Sequence, residues 1–268
     1  MPEMKQTHGG DDDDIDDLPQ EAPPPKPKLD KFASKPDINI RDVFWKMMEN
    51  YLENGAIPAE ELKKFNDERF PLVRASISVL GNPHGYTYEL TREQIAFFTI
   101  KMTLDAEWED AFEEYLEEIK NSKGSAPEIV RDALKEACLQ KENQKRIIEY
   151  LRIMLRNREG AEIALYFIAQ IQNAEISAEL KKELLVLSRG DIGTNQMNAM
   201  AGMSVIKNDD EVKKTLISIL SHWDEEARYN AADILNGMKD DEVREAAKKR
   251  KDIEPNQEIK ELLEKLAT

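Results

Sequence analysis

From Ile38 onward, apolar residues recur at intervals of three and four, the period of an amphipathic α-helix. Val43, Phe44, Met47, Met48, Tyr51 and Leu52 predict one helix that stops at Gly55. Pro58 opens a second, which Pro71 is expected to break or kink before Gly81. Gly81 to Gly85 has the turn chemistry of a loop. Thr91 and Gln94 then form a capping box ahead of Ile95, Phe98, Met102 and Thr103, each side chain satisfying a backbone donor that the helix start leaves open. The next stretch, Asp105 to Glu118, carries eight acids and no base, with Trp108, Phe112, Tyr115 and Ile119 at helical spacing on one side. Two readings stand for this stretch. In one, the aromatics pack inside and the acids are their solvated back; in the other, the helix docks a basic partner through Trp108, Phe112, Tyr115 and the negative charge.

Behind Gly124 the pattern repeats. The run Asp209-Asp210-Glu211-Val212-Lys213-Lys214 returns 31 residues later as Asp240-Asp241-Glu242-Val243-Arg244-Glu245, and Glu179 to Leu185 stands 32 residues before Glu211 to Ile217. A fixed period of this length marks a helical array. Ser125 and Glu128 form a second expected capping box, Gly160, Gly190 and Gly237 punctuate, and each helix carries an apolar stripe too narrow to be stable alone, such as Ala227, Ala231, Ile234, Leu235 and Met238. Stacked neighbours bury such stripes. The array divides as 125–159, 160–191, 192–222 and 223–252, with a last helix from Asn256. At the 31-residue offset, Leu216, Ile217 and Leu220 become Ala247, Lys248 and Lys251, as suits a terminal unit, and Ile259, Leu262, Leu263 and Leu266 make a closing helix.

Asp224 to Gly237, running into Asp240 to Ala247, resembles the HEAT-like repeat family of the phycobilisome-lyase type, moderately over residues 190–250 and more weakly over 125–190. Met197, Met200 and Met203 depart from the alanine and leucine usual there. The resemblance implies paired helices, the second of each pair lining a concave surface. It does not extend to the family's enzymes. None of His8, His84 and His222 is followed by the glutamate that the di-iron deoxyhypusine hydroxylases require, the DNA-alkylation-repair members rely on a strongly basic face, and no chromophore pocket of a phycobilin lyase can be identified.

Combined with that resemblance, Lys145, Arg146, Lys181, Lys182, Lys213, Lys214 and Arg244 form a basic column near the starts of successive second helices. The column either recruits an acidic or phosphorylated segment, or locally structured RNA, or it only pairs with Asp209, Asp210, Asp240 and Asp241 one turn earlier.

Charge narrows the partners. The net charge of −16 is shared by all parts of the chain, −5 over residues 1–37, −7 over 38–124 and −4 over 125–268, a field that disfavours binding to free nucleic acid. Residues 1–37, with Asp11 to Asp14, Asp16, Asp17 and Pro23 to Pro25, have little to bury and are expected to be a disordered acidic tail, with Ile15 and Leu18 as a conceivable short motif for a basic partner. Cys138 is the single cysteine and lies on an apolar helical stripe, so it reads as a buried small hydrophobe. One cysteine and three histidines supply no zinc cluster, and no cofactor or catalytic residue is assigned. An enzyme reading would need a pocket around Gly81 to Leu90 with His84, Tyr86 and Tyr88. No apolar run has the length of a membrane span, and a cytoplasmic location is expected.

The sequence therefore predicts an all-α protein: a disordered tail (1–37), an N-terminal helical unit (38–124) and a short α-solenoid of HEAT-like pairs with a closing helix (125–268). The function expected of it is that of a protein-binding scaffold or adaptor, without enzymatic activity. The other reading is a factor attached to a nucleoprotein such as the ribosome or chromatin.

Overall fold

The computed structural model describes residues 39–81, 90–190 and 193–268, and these form one compact unit. The expected tail and residues 82–89, with His84, Tyr86 and Tyr88, lie outside the described residues. No described residue is in a strand.

Helix α1 (Ile40–Asn54) is started by the Asn39 side chain, which accepts from Arg41 N, and is stopped by Gly55 at φ 73°. Pro58 precedes α2 (Ala59–Leu62), which runs through a 3-10 stretch, residues 63–68, into α3 (Arg69–Gly81). The break expected at Pro71 falls earlier, at Phe65 (φ −102°, ψ 20°). Pro71 then sits in the first turn of α3, where its missing N–H has no helical acceptor to lose. Thr91 and Gln94 make the capping box that starts α4 (Arg92–Asp105).

The stretch from Asp105 to Glu118 is not one helix. After Asp105 the chain forms a Schellman turn, in which Trp108 N donates to Thr103 O (2.9 Å) and Glu107 N to Leu104 O (3.2 Å), with Glu107 in the left-handed region at φ 59°. Helix α5 (Glu109–Lys120) begins after it. Helix α6 (Ala126–Ala137) starts without the expected box. Ser125 adopts φ −86°, ψ 4°, makes no cap bond, and its hydroxyl accepts from Arg92 Nη1 at 2.9 Å.

The array continues through α7 (Lys141–Arg156), α8 (Arg158–Ile171), α9 (Ala174–Glu179), α10 (Lys181–Arg189), α11 (Thr194–Met203), α12 (Asp210–Ile219), α13 (Glu225–Leu235), α14 (Asp241–Lys251) and α15 (Gln257–Leu266). Asn173, Asp209, Asp224, Asp240 and Asn256 cap α9, α12, α13, α14 and α15 through their side chains. Helices α6, α8, α11, α13 and α15 pack in sequence along one row. The hairpin partners α7 on α8, α10 on α11, α12 on α13 and α14 on α15 form the second layer. This is an α-solenoid of helix pairs, but the closest pairs straddle the divisions read from the repeat: α7 with α8 crosses 159/160, α10 with α11 crosses 191/192, and α12 with α13 crosses 222/223.

The N-terminal helices are not a separate body, because α4 packs on α6 and α5 on α8, and one hydrophobic core runs from Phe44 to Leu266. Leu216, Leu235, Ile259 and Leu263 are fully or almost fully buried in it. On α14 only Val243 and Ala247 are buried, and α15 closes the array through Ile259, Leu263 and Leu266.

Two glycines fix close approaches. Gly160 lies inside the first turn of α8, where a Cβ would stand 3.0 Å from Met154 O, so it is a packing residue and not a break. At Gly202 a Cβ would come within 2.9 Å of Ile168 Cγ2, across the α8–α11 joint. Gly202→Ala is expected to destabilise the fold by about 1–3 kcal/mol, the usual cost of overpacking, measured as a lower denaturation midpoint.

Candidate interaction surface of the repeat array

The basic column is largely internal to the array. Asp209 caps α12 by accepting from Glu211 N (3.0 Å) and Val212 N (3.2 Å), and its other carboxylate oxygen holds Lys181 Nζ at 3.0 Å. Glu211 adds a second carboxylate 3.4 Å from the same ammonium. The next unit repeats the arrangement. Asp240 caps α14 through Glu242 N (2.9 Å) and Val243 N (3.2 Å) and holds Lys213 Nζ at 2.8 Å, with Asp210 and Glu242 each at 3.5 Å. Each aspartate thus starts its own helix and ties down the lysine of the unit before it. The hydrogen bonds from Lys181 and Lys213 hold Asp209 and Asp240 below the usual carboxylate range, and those carboxylates hold the two lysines above theirs.

One unit earlier, Arg152 plays the same part. It donates to Glu179 O at 2.9 Å and stands 3.5 Å from the Glu183 carboxylate. Arg146 donates to Leu104 O and lies 3.9 Å from Glu107. Among the described residues Arg244 pairs only within its helix, with Asp241 at 2.6 Å. Lys145, Lys182 and Lys214 are exposed and unpaired among the described residues. The pairing expected within helices is found for Lys213 with Asp210 and for Arg244 with Asp241. The closer bonds of Lys181 and Lys213 cross from one repeat to the next.

The acidic helix is also committed in part. Trp108, Phe112 and Tyr115 are 2%, 0% and 0% exposed, so they are core residues and cannot meet a partner. Burial, opposed by the nearby Thr99 hydroxyl, drives the Tyr115 hydroxyl far above its ordinary value. On the polar side Asp110 takes a bidentate pair from Arg69, Glu114 pairs with Arg74, and Glu117 and Glu118 remain exposed. Burial raises the Glu109 carboxyl, and Glu113, Asp110 and Glu149 add to that shift. Cys138 is buried, and burial pushes its thiol up to about 12, which leaves it protonated and unreactive.

The most complete polar constellation is one the periodicity does not announce. Arg228 on α13 is buried among alanines, and it donates from Nε and Nη2 to the two oxygens of Glu254, both at 2.9 Å. Its remaining nitrogen, Nη1, donates to His222 O (3.0 Å) and Trp223 O (2.9 Å). Glu254, with its side chain fully buried, also accepts from Arg250 (2.9 and 3.1 Å) and from Asn256 N (3.1 Å). Burial works to raise the Glu254 carboxyl, but the hydrogen bonds from Arg228, Asn256 and Arg250 outweigh it and hold the group below its ordinary range. The α12–α13 and α14–α15 connections are thereby clamped to one helix. The available signal was Arg228 itself, an arginine beside Ala227 on a stripe otherwise apolar, which demands a carboxylate.

On the clamped α12–α13 connection Trp223 is 66% exposed, and Ile253 on the other is 69% exposed. The His222 ring lies 5.5 Å from that of Trp223, and His222 Nδ1 accepts from Asp224 N at 3.2 Å. Next to this connection the starts of α13 and α15 enclose a shallow depression lined by Asp224, Glu225, Glu226, Tyr229, Glu258 and Ile259. No group of side chains suited to hold a metal occurs among the described residues, and none of their helices is long and apolar enough to cross a membrane. No protein-family model, curated protein or solved structure matches the chain.

Proposed function

We propose that the chain is a cytoplasmic protein-binding scaffold, a helical-repeat array that acts by presenting fixed side chains to a protein partner. The observation that carries this reading is Trp223, a large aromatic side chain turned to solvent on a connection whose backbone the buried Arg228 guanidinium grips. Exposed single aliphatic residues are ordinary on any surface. A tryptophan loses little conformational freedom on binding and brings a large apolar area, which is why such residues dominate interface energetics. The basic column offers less, since Lys181 and Lys213 already sit among carboxylates and would have to leave them to serve a phosphate or an acidic segment.

The test is affinity capture of the full chain from its native cell, with nuclease and at raised salt. The expected result is a protein partner that survives nuclease and is lost from Trp223→Ala, while Trp223→Ala melts as the unaltered chain does. A partner released by nuclease would overturn the reading in favour of a nucleoprotein attachment, and a partner indifferent to Trp223→Ala would remove its support.

A further inference from the structure

Deepening the scaffold reading and resting on it, we infer that the surface formed by Trp223, Ile253 and the depression between α13 and α15 binds a basic segment of a partner protein, an arginine- or lysine-containing stretch that also carries an apolar residue. The apolar half of the argument is the pair of exposed side chains on two connections that one buried ion pair holds together. Fixed in this way, Trp223 and Ile253 lose little further freedom when covered.

The charge of the occupant follows from the depression. Its lining has four carboxylates, Asp224, Glu225, Glu226 and Glu258, and no cation. None of the four has an ion-pair partner among the described residues, unlike Asp209 and Asp240 of the lysine ladder and Asp110 and Glu114 of α5. Asp224 is occupied in capping α13, and Glu225 accepts from Asn256 Nδ2 at 2.7 Å. Glu226 and Glu258 are exposed and spend their charge on no cation. The negative field of Glu258 raises the Tyr229 hydroxyl beside it, followed by burial and Asp233. The floor supplied by Tyr229 and Ile259 is apolar enough for the methylene stem of an arginine, while the rim receives its charge. An acidic or phosphorylated segment would meet four like charges there, so the field selects against it.

Tryptophan emission supplies the readout. Trp45 and Trp108 are 9% and 2% exposed, so quenching by acrylamide reports on Trp223. The full chain is titrated with a labelled arginine-rich peptide carrying leucine, with the same peptide bearing glutamate for arginine, and with polyarginine lacking leucine. The leucine-containing arginine peptide is expected to bind and to shield Trp223 from acrylamide. Its affinity should fall roughly ten-fold or more in Trp223→Ala, the size of a strong interface residue. It should fall several-fold in Glu226→Gln/Glu258→Gln, with a flatter salt dependence. Neither variant should alter the melting temperature. Polyarginine should bind more weakly and shield less.

Binding of the glutamate peptide with equal strength, no binding of the arginine peptide, or binding that leaves acrylamide quenching and both variants unaffected would each overturn the inference. The last outcome would mark attraction to the net negative charge of the chain alone. If Trp223→Ala loses the native partner while the arginine peptide fails to bind, the scaffold reading survives and the basic occupant does not.

Discussion

Glu254→Gln is expected to lower the stability of the folded chain by about 3–5 kcal/mol, the usual consequence of removing one member of a buried ion pair and leaving the other uncompensated. The carboxylate has no exposure, and every hydrogen bond it accepts comes from a different part of the terminal units: Arg228 on α13, Arg250 on α14 and the backbone of Asn256 at the start of α15. A glutamine can accept at one oxygen only and places an NH2 group against a guanidinium. Arg228→Met should cost less, because Arg250 and Asn256 N still hold the Glu254 carboxylate. The double variant Arg228→Met/Glu254→Leu should recover part of the loss, since it removes the buried Arg228 charge but leaves Arg250 without its carboxylate. Denaturant unfolding of the four proteins measures this as a double-mutant cycle. Single variants within about 1 kcal/mol of the parent would show that the clamp contributes little.

Acid supplies an independent check on the same group. The folded Glu254 carboxyl titrates below its unfolded value near about 4.3, so its contribution is complete above that pH and is lost as the pH falls through the lower folded value. Protonated Glu254 resembles glutamine. The melting temperatures of the parent and Glu254→Gln should therefore differ most above about pH 5 and converge in acid. Asp209 and Asp240, held low by their lysines, remain in both proteins and add to the acid lability of each.

What the sequence disclosed and what it hid have separate physical causes. The helix start written in the side chains of Thr91 and Gln94 and the apolar stripes of the repeat are local, and both stand in the structure as read. The turn at Glu107 was hidden because the left-handed position of a Schellman motif usually carries glycine or asparagine, and a glutamate there gives no warning. Ser125 was misread because its hydroxyl answers Arg92, 33 residues away, a competitor that spacing alone does not show.

The lysine column was legible only in part. Residues three apart on one helix are visible in sequence, and Lys213 does meet Asp210, yet its closest partner is Asp240, placed by the stacking of a whole unit. The aspartates were read as neighbours of the lysines when they are the capping residues of the following unit. The clamp between Arg228 and Glu254 depends on the same long-range stacking and was missed for the same reason. A surface built from Trp223, Ile253 and the depression could not be read before the connections had been placed.

Leu216→Ala and Leu235→Ala should each remove about 2–5 kcal/mol, the range observed when a buried leucine is truncated and the cavity collapses only in part. Both side chains are fully buried, Leu216 on α12 and Leu235 on α13, helices that pack directly on each other. They test the repeat register from its two layers. If the units stack as described, each leucine belongs to the continuous core, and because the two sit in adjoining helices their losses should deviate from additivity when combined. Leu52→Ala, at a side chain 46% exposed on α1, is the control and should stay within about 0.5 kcal/mol. Urea unfolding followed by circular dichroism supplies the numbers. A near-neutral result at both Leu216 and Leu235 would displace the register and, with it, the placement of Asp209 and Asp240 against Lys181 and Lys213. A large loss at one and none at the other would mean that only that helix faces the core.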